Sequence, residues 1–435
     1  MVRQMKDSGV EWMGEIPETW DILPAKRMFC NSGETKKADD VQLTASQQYG
    51  IISQNDYMAL TGSRVVLATQ DLEKWKHVEP QDFIISLRSF QGGLEMSKVS
   101  GCITWHYVVL RSCHKGINAR FYKWLFKSSE YITALQRTCN YIRDGQDLRY
   151  SNFEQVPLFL PKEEEQENIA NILDTKCAEI DKVVEQTRAT IEEYKKLKQA
   201  IITEAVTKGV RGPRPMKPSG VEWIGDIPEE WGILKTLWLL EMPITDGPHE
   251  TPILYDEGIP FISAEAVSCG RGRIDFSHKR GYISKEYYDE CCKKYTPRLH
   301  DIYMIKSGAT TGRVSMVDTE EVFTIWSPLA VLRANQEKML PRFLFYSLQA
   351  DYYQKQISLS WSFGTQQNIG MRVLEQLKIA TPDADGQQEI ATYLDIKCAE
   401  IDRIIEKKEQ LIEELGSYKK SLIYEYVTGK KEVTA

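Results

Sequence analysis

The side chains in this chain best suited to chemistry are amides, guanidinium groups and ammonium groups on glycine-rich loops. Arg88 leads into SFQGGLEMSK (89–98), which carries Gln91 and Lys98, and RDGQDLR (143–149) carries Arg143, Gln146 and Arg149. Further on, KSGATTGR (306–313) offers Lys306, Thr310, Thr311 and Arg313, and GTQQN (364–368) offers Gln366, Gln367 and Asn368. Arg or Lys matches the acceptor edge of guanine, and Asn or Gln the donor–acceptor edge of adenine. Glycine lets a backbone approach such an edge closely. These residues are therefore the candidates for reading base edges. Gln146 and Gln367 lead, because one aligned loop offers the same amide twice. The plain alternative for each is a solvated loop side chain, and a contact to phosphate positions without specifying.

Other chemistries find little to build on. SGATTGR (307–313) lacks the Lys-Ser/Thr ending of a nucleotide-binding loop, and no glycine-rich cofactor fingerprint occurs. There is no D-P-P-Y or N-P-P-Y motif of adenine methylation and no D…E-x-K nuclease cluster. Asp39-Asp40 and Glu320-Glu321 read as surface turns. Nine cysteines without a C-x-x-C, and six scattered histidines, give no zinc spacing. The expectation is a binding protein with no catalytic residue, cofactor or metal of its own.

The elements that position these loops come in two copies. MKDSGVEWMGEIPETW (5–20) returns as MKPSGVEWIGDIPEEW (216–231), and KCAEID (176–181) returns at 397–402. Residues 166–208 lack proline and glycine and carry a 4,3 heptad seam: Leu173, Cys177, Ile180, Val184, Thr187, Ile191, Tyr194, Lys198, Ile201 and Ala205. The second copy, shifted by 221, reads Leu394, Cys398, Ile401, Ile405, Lys408, Ile412, Leu415, Lys419, Leu422 and Tyr426. The polar interruptions coincide, so the seams are expected to face one another, with lysine stems along the seam and ammonium groups in water. The linker GVRGPRPMKPSG (209–220) is short, which places the second variable domain at the far end of the first helix and makes the pair antiparallel. Its seam spans about 48 Å at 1.5 Å per residue, a ruler between two domains.

The expected fold class is α+β: two mixed α/β domains separated by a pair of long antiparallel coiled-coil helices, with pseudo-two-fold symmetry. The segments are 1–160 (signature 5–20), 161–212 (first spacer helix and linker), 213–381 (signature 216–231) and 382–435 (second spacer helix). FIISLRSF (83–90), GCITWHYVVL (101–110), RGYISKEYY (280–288) and VFTIWSPLAVLRA (322–334) read as β-rich runs. Residues 119–136 and 341–357 read as aromatic helices whose rings serve the core. IRDGQDLRYSNFEQVPLFLP (142–161) aligns without gaps on FGTQQNIGMRVLEQLKIATP (363–382). The domains diverge in their first two-thirds and agree where they join the helices, a pattern that suits two recognition domains with different targets. Trp12, Trp20, Trp223 and Trp231 are expected to pin the signatures to the helix pair, the alternative being that these segments dock a partner.

Net charge is −7, yet residues 21–160 hold 17 Lys+Arg against 14 Asp+Glu, and residues 232–381 hold 17 against 17. The variable domains are the least acidic parts, though too weakly charged to grip DNA alone, since phosphate neutralisation supplies most non-specific affinity. No apolar run approaches the length of a membrane span, and the start lacks the apolar core of a secretory signal. A cytoplasmic protein with reduced thiols is expected.

The signature SGVEW-[IM]-G-[ED]-IP-E-x-W, the P-x4-Q-x2-IA-x2-LD run (Pro161, Gln166, Ile169, Ala170, Leu173, Asp174; Pro382, Gln387, Ile390, Ala391, Leu394, Asp395), and the endings ITEAVTKG (202–209) and IYEYVTGK (423–430) resemble the specificity subunit of Type I restriction–modification systems, over essentially the whole chain. The resemblance implies two target-recognition domains reading a split DNA sequence, helices that set the distance between the halves, and a complex with two methyltransferase subunits and, for cleavage, restriction/translocase subunits. S-adenosylmethionine, ATP and Mg are implied for those partners and not for this chain. The competing functions are a coiled-coil scaffold that does not bind nucleic acid and a stand-alone DNA methyltransferase with an unrecognised cofactor site.

Overall fold

The computed structural model describes residues 3–433 except 47–48, 64–70, 86–93, 140, 143–144, 147, 361 and 364–366. The chain forms two units, Met1–Thr187 with Glu409–Ala435, and Arg188–Lys408. Both long helices, Glu163–Lys208 and Ala384–Val427, are therefore divided between the units. The segment boundaries expected from sequence follow the chain, whereas the compact units follow the cores.

Each unit is built on a four-stranded antiparallel sheet with the same strand order. In the first unit it runs Phe29–Asn31, Val108–Ser112, Phe83–Ile85, Glu95–Met96; in the second, Thr245–Asp246, Leu329–Leu332, Ile302–Ile305, Val314–Met316. Phe83–Ile85, Ile302–Ile305, Leu329–Leu332 and the first three residues of Val108–Ser112 are buried, so the central strands read as apolar runs such as FII and IYMI and do not alternate. An Arg–Asp clamp recurs on both sheets. Arg111 donates to both carboxylate oxygens of Asp82 at 2.9 and 2.7 Å, and Arg333 donates to those of Asp301 at 2.7 and 2.8 Å. Two parallel bonds between planar groups fix orientation as well as distance.

The aromatic stretches form two helices per unit in place of one: Ala119–Leu125 and Ser129–Arg137, then Pro341–Gln349 and Asp351–Leu359. Asn118 caps the first of these, its side-chain oxygen accepting from Arg120 N at 3.0 Å, and Pro341 opens the third at a position that needs no donor. Their rings serve the core as expected: Phe121, Tyr122, Phe126 and Tyr131 are fully buried, and Phe83 meets Phe126 edge-to-face at 4.9 Å. One β-rich run is corrected. Only Gly281–Ile283 of RGYISKEYY is strand, because Ser284 accepts from Tyr287 N and starts the helix Lys285–Cys292.

Within each unit the long-helix segments run antiparallel. In the first, Glu165 and Gly429 both meet Trp20, while Asp181 meets Lys419. In the second, Arg211 meets Glu389 and Lys198 meets Asp402. Leu173, Cys177, Ile180, Ile191, Leu394, Cys398, Ile401, Ile405 and Leu422 are buried as the heptad requires. Val184, Tyr194, Ile201, Ile412 and Leu415 are half-buried. Past Ile201 the burial passes to Ile202, Ala205 and Val206, where the helix joins the core of its unit. The seam lysines differ from expectation: Lys198 Nζ binds both oxygens of Asp402 at 2.7 Å, and Lys419 Nζ binds those of Asp181 at 2.6 and 2.7 Å. Ammonium groups placed over an apolar seam find a carboxylate across it before they reach bulk water.

The signature tryptophans close these bundles. Trp20 and Trp231 are buried, and Trp12 and Trp223 are half-buried. Each long helix ends in a left-handed glycine, Gly209 (φ 78) or Gly429 (φ 70). A Cβ on Gly429 would lie 2.4 Å from Pro17 and 3.0 Å from Trp20, and one on Gly209 would lie 3.3 Å from Trp231.

Candidate nucleic-acid interface

In the second unit the structure brings two of the sequence-selected loops together. Ser307 bridges to Asn368, and Ile369 N donates to Lys306 O at 2.9 Å. Gln367 and Asn368 form the second strand of a two-residue hairpin whose first strand is Ser362–Phe363. The glycine loop is tightly turned: Thr311 Oγ1 donates to Gly308 O at 2.7 Å, and Gly312 N to Ile305 O at 2.8 Å. Gly312 adopts φ 91, a conformation that strains any other residue, and a Cβ there would also displace the Gln354 amide, whose Oε1 would lie 2.4 Å away. Arg313 is exposed, with a long bond of 3.3 Å to Ser268 O, and Asn368, opposite Ser307, is exposed as well. Thr310 is half-buried. Lys306 is engaged from within: its Nζ lies 2.9 Å from Asp246, a carboxylate 1% exposed that also holds Lys294 and His249. Burial opposes ionisation of Asp246, but hydrogen bonds from Lys294 and Lys306 outweigh it and hold the carboxyl below its usual range. Lys306 thus supplies a fixed positive field under the loop more readily than a free base contact.

The matching places in the first unit are only partly described. Gln146 pairs with Tyr141 in a hairpin like that of Gln367 with Phe363. Arg88, Gln91, Arg143 and Gln366 lie outside the described residues. Arg149 is exposed at the start of the helix Tyr150–Phe153, its backbone N donating to Asn152 Oδ1 at 2.9 Å. Lys98 is exposed two residues past the strand Glu95–Met96. There it borders a groove of about 900 Å3 that also takes in Lys123, Lys127, Lys419 and Lys420. Sequence reasoning missed the last four. The signal lay in the second copy, which places Phe345, Gln349 and Gln199 opposite Lys123, Lys127 and Lys420.

Glu34, His77 and Glu79 have the spacing of a metal site. Lys37 Nζ sits among them, 2.9 Å from Glu34, 2.8 Å from His77 Nε2 and 3.4 Å from Glu79. Hydrogen bonds from Arg111 and Lys37 hold the Glu34 carboxyl down to about 2. An ammonium group therefore meets the charge requirement of this cluster.

A second surface is apolar. In the first unit Val183, Leu411 and Tyr418 are 43%, 40% and 54% exposed on the long-helix segments; in the second, Leu197 and Ile404 are 49% and 37% exposed. Ile404, Leu411 and Tyr418 are one heptad apart, so the second long helix carries a second apolar stripe besides its buried seam, whereas Val183 and Leu197 on the first are two heptads apart with Thr190 between them. No helix among the described residues is long and apolar enough to cross a membrane.

The comparisons with known proteins agree with this geometry. The family described as the Type I restriction modification DNA specificity domain matches residues 17–193 and 250–414. The chain is 26% identical over 285 residues to the Type I restriction enzyme MjaVIII specificity subunit of Methanocaldococcus jannaschii, a match covering 65% of this chain and 63% of that protein. It is 25% identical over 286 residues to the Type I restriction enzyme EcoBI specificity subunit of Escherichia coli, covering 63% and 58%. These matches thus span less than two-thirds of either relative's length. A chain from a solved structure of the type I R-M system, described in terms of complex assembly and conformational transition, superposes with a TM-score of 0.68 at 15% identity over 96% of this chain and 99% of that one. At that identity the likeness shows the fold alone.

Proposed function

The chain belongs to the Type I restriction–modification DNA specificity family, and from that premise we propose that it is the non-catalytic subunit that reads a bipartite duplex target, one half-site per unit. It scaffolds two methyltransferase subunits and, for cleavage, the restriction/translocase subunits. S-adenosylmethionine, ATP and Mg belong to those partners. The observation that carries this reading is the repetition of one frame under two different surfaces. The sheet order, the Arg–Asp clamp and the helix joints recur, while the loops at the sheet edge differ in residue type. A shared frame presents each loop set in the same way, and different loops then read different bases.

The exposed apolar stripe of the second long helix, Ile404, Leu411 and Tyr418, supports the scaffolding role, since apolar residues at heptad spacing on one helix face are what a partner helix covers. The test exchanges residues 232–381 for the corresponding segment of another family member. The full chain is then co-expressed with its methyltransferase, and the methylated adenines of the host genome are sequenced. One half of the methylated motif is expected to change while the other half and the spacing stay. A motif that changes in both halves, or methylation that ignores the exchange, would overturn the reading.

A further inference from the structure

We propose that the lysine-lined groove of the first unit holds backbone phosphates of duplex DNA beside the half-site this unit reads, and that the second unit has no counterpart. The inference rests on the DNA-reading function above and goes beyond it in naming the phosphate site and its asymmetry. One wall of the groove comes from the helix Ala119–Leu125 with Lys123 and from the turn after it with Lys127; the other comes from the second long helix, with Lys419 and Lys420. Lys98 stands at the margin. Glu95 and Asp181 are the acids of the lining, which leaves a net of +3, and +2 when Asp174, the partner of Lys123 at 2.5 Å, is counted too. Lys127 is paired with Glu95 at 3.0 Å and Lys419 with Asp181. Lys98 and Lys420 are exposed and have no carboxylate partner among the described residues. Burial raises the Glu95 carboxyl above its usual range, so the groove disfavours its own negative charge while keeping two ammonium groups unneutralised.

The second unit shows what this place becomes when nothing binds there. In the repeated alignment Lys123 becomes Phe345, Lys127 becomes Gln349 and Lys420 becomes Gln199. Phe345 is 5% exposed and packs so close to Gly272 that a Cβ there would lie 2.9 Å from the ring. Gln199 Nε2 donates to Gln349 O at 2.5 Å. The same frame is closed by packing in one copy and left open with lysines in the other. Its position selects the ligand. Lys98, at the groove margin, belongs to the segment 89–98 chosen for base reading, so the positive charge of the groove lies beside a base-reading candidate of this unit. Phosphate contacts of this kind set register and orientation without reading sequence.

The test uses the full chain with its co-expressed methyltransferase subunit and a 30-base-pair mixed-sequence duplex, with affinity measured from 50 to 200 mM KCl. Each phosphate neutralised contributes about 0.9 to the slope of log K against log salt. The double variant Lys98→Gln/Lys420→Gln is expected to lower that slope by about 1.8, which shrinks the affinity change across this salt range roughly 12-fold. K98R/K420R keeps the wild-type slope, and Gln199→Ala in the second unit leaves it unchanged. An unchanged slope in K98Q/K420Q, or a loss that the arginine variant does not restore, overturns the groove while leaving DNA reading intact. Lost capture of the methyltransferase with unchanged duplex binding assigns the lysines to an acidic protein partner and also overturns it. Absence of duplex binding in the wild type overturns the reading function itself.

Discussion

In the first unit Gln166 accepts from Asn118 N and donates to Gly116 O and Pro161 O; in the second, Gln387 accepts from Leu340 N and donates to Lys338 O and Pro382 O. Asp174 gathers Arg120, Lys123 and the Trp124 indole, and Asp395 gathers Arg342 and the Tyr346 hydroxyl. Yet the same helices turn Lys123 and Lys127 toward an open groove in one unit and Phe345 and Gln349 toward a filled one in the other. The difference teaches that the polar joints between sheet domain and helix are the invariant part of the design. The surfaces they carry are free to change from charge to packing.

The largest expected effect lies at the signature tryptophans. Trp20 is fully buried against Phe159 and Phe121, and its indole N–H donates to Glu165 at 2.8 Å. Trp231 is 4% exposed, and glycine stands at 386 where the first copy has Glu165. Trp→Ala in a core costs about 3–5 kcal/mol, so both variants should unfold far earlier in urea. W20A should lose about 1 kcal/mol more than W231A, the worth of one hydrogen bond. Equal losses would mean that the indole bond contributes nothing and that the first joint has no advantage.

Next come the buried glutamines. Removing either amide takes a partner from three backbone groups at a part-buried joint, which costs about 3 kcal/mol. Because the geometry repeats, Gln166→Ala and Gln387→Ala should cost the same within roughly 0.5 kcal/mol, measured by denaturant unfolding with a fluorescence probe in each unit. A large inequality would break the equivalence of the two joints.

A smaller effect, confined to the second unit, comes from Asp246. Its carboxyl is held below the usual carboxylate range in the folded state by the ammonium groups of Lys294 and Lys306. The unfolded chain therefore binds a proton first as pH falls, and the stabilisation present above about pH 4 is lost as pH drops through the folded value. Asp246→Asn should cost about 2 kcal/mol at neutral pH, below the usual figure for a broken buried pair because Lys294 is half-exposed. It should also flatten the acid limb of the stability profile of this unit and leave that of the first unchanged.

Much of this architecture was legible in the sequence because it is written twice. The heptad gave the seam residues, the short linker 209–220 gave their direction, and the gapless match of 142–161 with 363–382 gave Leu148, Phe153, Val156, Ile369, Leu374 and Leu377, all buried. What could not be read depends on long-range partners. Arg111 and Asp82, or Arg333 and Asp301, are ordinary loop and strand residues until the sheet folds them together. Lys306 looked like a free cation because Asp246, sixty residues earlier in the chain, gives no local sign of being buried beneath it. The groove lysines were hidden for a related reason. They lie on stretches read only for their aromatic and heptad residues, and their meaning appears when the second copy shows Lys123, Lys127 and Lys420 replaced.

The smallest expected effects lie at the crossing pairs, where the two units can be compared with least disturbance. Lys198 and Lys419 occupy equivalent seam positions, and each ammonium group lies between the two oxygens of an equivalent aspartate. Asp402 is 39% exposed and Asp181 is 62% exposed, so solvent screens the first-unit pair more strongly. Exposed ion pairs couple by about 0.2–1 kcal/mol. A double-mutant cycle of Lys198→Ala with Asp402→Ala should fall toward the upper part of that range, and one of Lys419→Ala with Asp181→Ala toward the lower. Both couplings should fade in 1 M salt, where the screening length falls to about 3 Å. Removing either lysine should nevertheless cost more than removing its aspartate, because the alkyl stem covers the seam whatever the salt. If each aspartate variant matches its lysine partner in cost, the stems contribute no packing and the polar interruptions of the heptad serve charge alone.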